Sequence, residues 1–132
     1  MSKIAVCGVS GRMGQRLAYL TLEAEDLELV GGTEYLGHAS INTDIGQIIG
    51  APELGIGVVD SLRSCAAAAD VVISFTTPDA TLTDAAICAE MGVPMVVGTT
   101  GFTEDQLRVF KASVSALPCV FASNFSTAMN VL

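Results

Sequence analysis

A chain of 132 residues is long enough for one domain and too short for two comfortable ones. Hydrophobic residues make up 51% of it and charged residues 15%, against about 25% charged in an average domain. That balance excludes a disordered chain and predicts strands covered on both faces. The net charge of −8, with six Lys+Arg, argues against nucleic acid and against an anionic membrane surface as partners.

In chain order, Lys3–Cys7 is a short apolar run ending at Gly8, read as a buried first strand rather than a secretory signal. A helix follows from Arg12 to about Glu25, with Met13, Leu17, Leu20 and Leu22 at helical spacing. Leu27–Thr33 predicts a second strand, whose glycines leave its end open. Glu34 to Pro52 lacks a sustained period and reads as a long loop with one helical turn near Ile45–Ile49. Gly57–Val59 predicts a short strand, and Ser61 a cap for a short helix reaching Ala68 or Ala69.

Asp70–Phe75 predicts a buried strand. Thr77, Pro78 and Asp79 then form a helix start, with the helix running to about Met91 and stopping at Gly92. Pro94–Val97 predicts a strand, and Thr103 with Gln106 a capping box. Cys119–Ala122 predicts a last strand, and Ala128–Leu132 the first turn of a further helix. Alternating strands and helices imply a Rossmann-like α/β fold, a doubly wound parallel sheet with helices on both faces.

Cys7, Cys65, Cys88 and Cys119 are widely spaced in apolar contexts and read as reduced core residues of a cytoplasmic protein. One histidine, His38, leaves no zinc set, so no metal site is expected. The charge-free stretch from Ala112 to Leu132 could span a bilayer by length, but Pro118, Asn124, Asn130 and its serines argue against that.

The first strand leads into Gly8-Val9-Ser10-Gly11-Arg12-Met13-Gly14, a GxxGxxG relative of the dinucleotide fingerprint. Gly8 permits a tight turn, Gly11 clears space for a pyrophosphate, and Gly14 lets the helix approach the sheet. Such spacing also serves ordinary strand–helix turns. The placement favours a dinucleotide, because Glu34 stands 20 residues after Gly14, where a carboxylate can accept ribose hydroxyls. Small polar clusters end three later strands: Ser74 to Thr77, Gly98-Thr99-Thr100-Gly101, and Ala122-Ser123-Asn124-Phe125-Ser126. Thr76, Gly98, Thr99 and Thr100 are candidates to contact a nicotinamide and its ribose, with Phe125 beside the ring. Thr77 and Thr103 read as helix caps only.

Together these segments resemble the amino-terminal domain of 4-hydroxy-tetrahydrodipicolinate reductase (dihydrodipicolinate reductase). The resemblance rests on the Gly-Arg-Met-Gly, Phe-Thr-Thr-Pro, Gly-Thr-Thr-Gly-Phe and Asn-Phe-Ser pieces, in order over essentially all 132 residues. It implies hydride transfer from NADH or NADPH to a cyclic dicarboxylate of the diaminopimelate branch of lysine biosynthesis, usually by a homotetramer. It also implies that Gly8, Val9, Ser10, Gly11, Arg12 and Met13 hold the pyrophosphate and Glu34 the adenosine ribose. Gly98–Thr100 with Ala122, Ser123, Asn124 and Phe125 would then line the nicotinamide side.

Two departures from the family pattern qualify this. Tyr35 stands where members that accept NADPH often carry Arg, which favours NADH and leaves NADPH open. Arg12 or His38 could stand in for that Arg, and the sequence does not fix their direction. The His-His pair, Lys and Ser-Gly-Thr loop of the family's substrate domain are not in these residues. The reading is therefore a dinucleotide-binding domain over 1–132 with no catalytic residue of its own. A free-standing NAD(H)-binding module, or a relative of the homoserine or semialdehyde dehydrogenases, are the alternatives.

Overall fold

The structure is a computed structural model and describes residues 2–121. Five strands form one parallel sheet: β1 (Ser2–Cys7), β2 (Leu27–Thr33), β3 (Val71–Ser74), β4 (Met95–Val97) and β5 (Cys119–Phe121). Their order is β2-β1-β3-β4-β5, so the chain crosses from one side of β1 to the other between β2 and β3. That reversal opens a crevice beyond the carboxyl ends of β1 and β3.

Both faces of the sheet are covered, as the low charge content predicts. Ile4, Ala5, Val6 and Cys7 of β1 are completely buried, and alternate residues point to opposite layers. Ile4 and Val6 pack with Leu17 and Ala18 of α1 (Arg12–Glu23) and Ile45 of α2 (Ile45–Ile49). Ala5 and Cys7 pack with Cys65 and Ala66 of α3 (Arg63–Ala66), Ala85 and Cys88 of α4 (Pro78–Met91), and Phe110 of α5 (Glu104–Ser113). Each large side chain so buried contributes about 1.5–3 kcal/mol.

The expected helix signals hold at α4 and α5. Thr77 accepts from the Ala80 N–H at 3.3 Å, Pro78 occupies the first helical position, and Gly92 closes α4 in the left-handed region. Thr103 and Gln106 form the full reciprocal capping box.

Two expectations are corrected. Gly57–Val59 is not a strand of the sheet. Val59 makes one parallel bridge to Thr33 and Gly57 one antiparallel bridge to Asp44, because the segment meets only the last residue of β2 before turning away. Ser61 does not cap α3 with its side chain. Leu62 is the N-cap, and Ser61 contributes its carbonyl to the Ser64 N–H at 3.1 Å. The helix also stops at Ala66, with turns closing the segment to Ala69.

The unpatterned segment after Glu34 is held by one carboxylate. Asp44 accepts from Gly46 and Leu54 N–H through Oδ2 and from Ile56 N–H through Oδ1, at 2.9, 3.0 and 3.0 Å. These backbone donors hold its carboxyl below the usual range. Ala128–Leu132, expected to begin a helix, lies outside the described residues.

Candidate functional site

The turn after β1 is set by backbone geometry. Gly8 has φ +76°, and a side chain there would meet Thr76 Cγ2 at 2.8 Å and the Phe75 carbonyl at 2.9 Å. Gly14 is the third residue of α1, in its first turn, with its Cα against the Gly8 carbonyl, where a Cβ would overlap that oxygen. The helix is therefore seated directly on the turn. Its N-cap, Gly11, has no side chain to cap the first amides. The leading N–H groups of α1 lack intrahelical acceptors and face outward with the positive end of the helix dipole.

The end of β2 is tied to the same place. Gly8 and Val9 N–H both donate to the Thr33 carbonyl, at 3.0 and 3.1 Å, and Glu34 N–H donates to the Val59 carbonyl at 3.0 Å. These bonds deliver the Glu34 carboxylate to the glycine turn, where Oε2 accepts from Ser10 N–H at 2.9 Å. The side chain of Glu34 is only 9% exposed. A carboxylate held this way keeps a fixed direction for a hydroxyl donor.

A cleft of about 450 Å³ opens beside the turn, within the range of small-ligand sites. Gly8, Gly11, Glu34 and Thr76, singled out in the sequence, all line it. So do Tyr35, the position after the expected ribose acid, Phe75 of the Ser74 to Thr77 cluster, and Thr77, which the sequence reads as a helix cap only. Thr33, Asp60, Leu62, Ala80, Thr83 and Asp84 also line it and were not singled out. Of the other turn residues, Val9 points into the core, Ser10 is half-buried, and Arg12 and Met13 are exposed.

Asp84 had an available signal, since it stands three residues after Thr81 and four before Cys88, both on the buried stripe of α4. Burial raises its pKa to about 6, partly offset by hydrogen bonds from Cys7 and Ser74. The same burial, with Asp84 nearby, pushes Cys65 to about 11 and Cys88 to about 12, and Cys7 well above its ordinary value. These thiols are free and buried, packing residues rather than nucleophiles.

The segment after β4 meets the cleft wall from behind. The ring of Phe75 occupies the space where a Cβ on Gly98 would stand, so only glycine leaves room for it there. Thr99 is buried. Its hydroxyl accepts from Thr76 N–H at 3.0 Å and pairs with Thr81 Oγ1 at 2.7 Å, which in turn lies 2.9 Å from Thr76 Oγ1. This hydroxyl cluster locks β3, α4 and the post-β4 segment together. The side chain of Thr99 therefore faces the fold, while Thr100 is exposed. Ala122, Ser123, Asn124 and Phe125 lie outside the described residues.

Among the described residues, no cluster of His, Cys, Asp and Glu could hold a metal, and no helix is long and apolar enough to cross a membrane.

The family model described as "Dihydrodipicolinate reductase, N-terminus" matches residues 2–125. A 4-hydroxy-tetrahydrodipicolinate reductase from Anaeromyxobacter sp. is 43% identical over 132 residues, covering 100% of this chain and 48% of the relative. A second, from Desulfotalea psychrophila, is 42% identical and 49% covered. A solved dipicolinate-bound dihydrodipicolinate reductase from Paenisporosarcina sp. superposes with a TM-score of 0.72 at 28% identity, over 94% of this chain and 48% of that one. The chain spans about half the length of the relatives it matches.

Proposed function

The chain belongs to the family of the dihydrodipicolinate reductase N-terminus, and on that premise we propose that it is the nicotinamide-cofactor half of a 4-hydroxy-tetrahydrodipicolinate reductase. One observation carries the reading: the uncapped N-terminus of α1, seated on the Gly8 turn, shares a cleft with a fixed carboxylate, Glu34. Amides and a dipole suit a diphosphate, and the carboxylate suits the hydroxyls of the attached ribose.

In this assignment the turn from Gly8 to Met13 holds the diphosphate, and Gly11 leaves room for its approach. Glu34 orients the adenosine ribose. Thr76, Gly98, Thr99 and Thr100 form the wall on the nicotinamide side through backbone groups and exposed atoms; Ala122–Phe125, outside the described residues, are assigned to the same role by the family resemblance alone. The hydroxyl cluster of Thr76, Thr81 and Thr99 keeps that wall in one position. A nicotinamide cofactor bound there supplies a hydride to the substrate.

The cofactor we favour is NADH. Glu34 repels a 2′-phosphate, and the neighbouring Tyr35 brings no cation to offset it. The six cations, Lys3, Arg12, Arg16, Arg63, Arg108 and Lys111, are spread along the chain rather than gathered to clamp two carboxylates. Residues 1–132 thus act as the dinucleotide domain. The dicarboxylate is gripped mainly by the other half of the reductase, which works as a homotetramer in the cytoplasm.

Calorimetric titration of NADH tests the reading. Gly11 has φ −72°, which any residue adopts, and its Cβ would stand 3.3 Å from the Gly8 carbonyl, so Gly11→Val requires only a small adjustment. The wild type should bind one NADH per chain, more tightly than NADPH, and Gly11→Val should abolish binding while retaining its circular dichroism spectrum. Equal NADH affinity in the two proteins refutes the assignment.

A further inference from the structure

The loop after Glu34 carries a histidine whose hydrogen-bond state is fixed by its neighbours. Ser40 N–H donates to His38 Nδ1 at 3.0 Å. A backbone amide can only donate, so Nδ1 is an acceptor and the ring hydrogen of the neutral imidazole lies on Nε2. The side chains agree: Ser10 Oγ donates to Ser40 Oγ at 2.7 Å, leaving the Ser40 hydroxyl to donate to Nδ1 at 2.8 Å. Tyr35 packs edge-on to the imidazole at 4.8 Å between centroids and limits its rotation.

The outcome is a ring of polar groups with one break. Glu34 Oε2 takes Ser10 N–H, Ser10 Oγ reaches Ser40, and Ser40 reaches His38. His38 Nε2 then points back toward Glu34 Oε1 across 4.0 Å. That span is too long for a direct hydrogen bond. It matches an oxygen placed about 2.8 Å from each side, provided that the oxygen both accepts and donates. A hydroxyl does both. A phosphate monoester oxygen at neutral pH has no hydrogen for Glu34 and brings negative charge toward it.

Resting on the cofactor reading above, we propose that His38 is a specificity residue: its Nε2–H and the Glu34 carboxylate together read the 2′-hydroxyl of the adenosine ribose, His38 donating to that oxygen and Glu34 accepting from it. His38 thus joins Glu34 in choosing an unphosphorylated ribose, and the Ser10–Ser40 link couples that choice to the turn that holds the diphosphate.

The test uses this chain with NADH and with NADH lacking the adenosine 2′-hydroxyl. His38→Asn keeps an acceptor near the Nδ1 position and removes the Nε2 donor, whereas His38→Gln restores an N–H near the Nε2 position. Wild-type affinity should fall at least tenfold for the deoxy analogue, and His38→Asn should lose roughly tenfold for NADH, as for one well-formed polar contact. His38→Asn should bind the deoxy analogue as the wild type does, and His38→Gln should recover most of the NADH affinity.

Equal loss for both ligands in His38→Asn would mark a merely structural role and overturn the proposal. Equal wild-type affinity for the two ligands overturns it as well, whatever the folding of the variants. Absence of NADH binding by the wild type removes the cofactor reading along with it.

Discussion

Asp84 offers a stability measurement that isolates one buried charge. Below about pH 4 the carboxyl is neutral in both folded and unfolded chains. As pH rises from there, the unfolded chain releases the proton while the folded chain keeps it, because burial holds the folded pKa at about 6. Above that value the folded chain bears a charge in a poorly solvated place. Stability from this group is therefore full at low pH and is lost as pH rises through about 6. The upward shift of roughly two units sets a ceiling of about 3 kcal/mol at neutral pH. Solvent reaching Asp84 through the cleft reduces this to about 1–2 kcal/mol.

Asp84→Asn removes the charge with little change of shape, and its amide oxygen can still accept from Cys7 and Ser74. It should raise Tm by about 4–8 °C at pH 7.5 and leave it nearly unchanged at pH 4. Thermal melts of both proteins across that range supply the comparison. A variant less stable at pH 7.5, or one whose gain is the same at both pH values, would refute the reasoning.

Gly14→Ala forces a methyl into the Gly8 carbonyl, and since only backbone surrounds it the turn itself must open. We expect about 1–3 kcal/mol of destabilisation in urea melts, together with loss of NADH binding. Thr99→Val strips the acceptor from Thr76 N–H and a partner from Thr81. It should cost about 1–3 kcal/mol by the same measurement, while Thr99→Ser stays close to the wild type.

The parts of the fold legible in the sequence are those governed by local rules. β1 reads as buried because its apolar run leaves no polar face, and α4 and α5 start where Thr77 and Thr103 can cap them. What escaped the sequence depends on groups distant along the chain. Gly57–Val59 has the composition of a strand, yet only contact with Thr33 and Asp44 decides that it makes two single bridges. The glycines that blurred the end of β2 have a tertiary reason, since Cys65 of α3 packs where Gly31 would carry a Cβ. Thr99 was legible as a polar residue at a strand end, but not that its hydroxyl turns inward to Thr76 and Thr81.

The two ends of the site differ in the same way. The glycine spacing announces the turn to which the diphosphate is assigned in our proposal, because a tight turn and a close helix require absent side chains at fixed offsets. The proposed ribose end is assembled from residues 10, 34, 38 and 40, which no short motif links. Its geometry comes from the bonds joining β1, β2 and Val59, which bring Glu34 to Ser10. In the proposed assignment a chain of net charge −8 holds an anion because the donors are backbone amides and a helix end, aimed by the fold, rather than a surplus of lysine or arginine. On that assignment, selectivity in this site resides less in total charge than in which groups at the end of β2 can accept or donate a hydrogen.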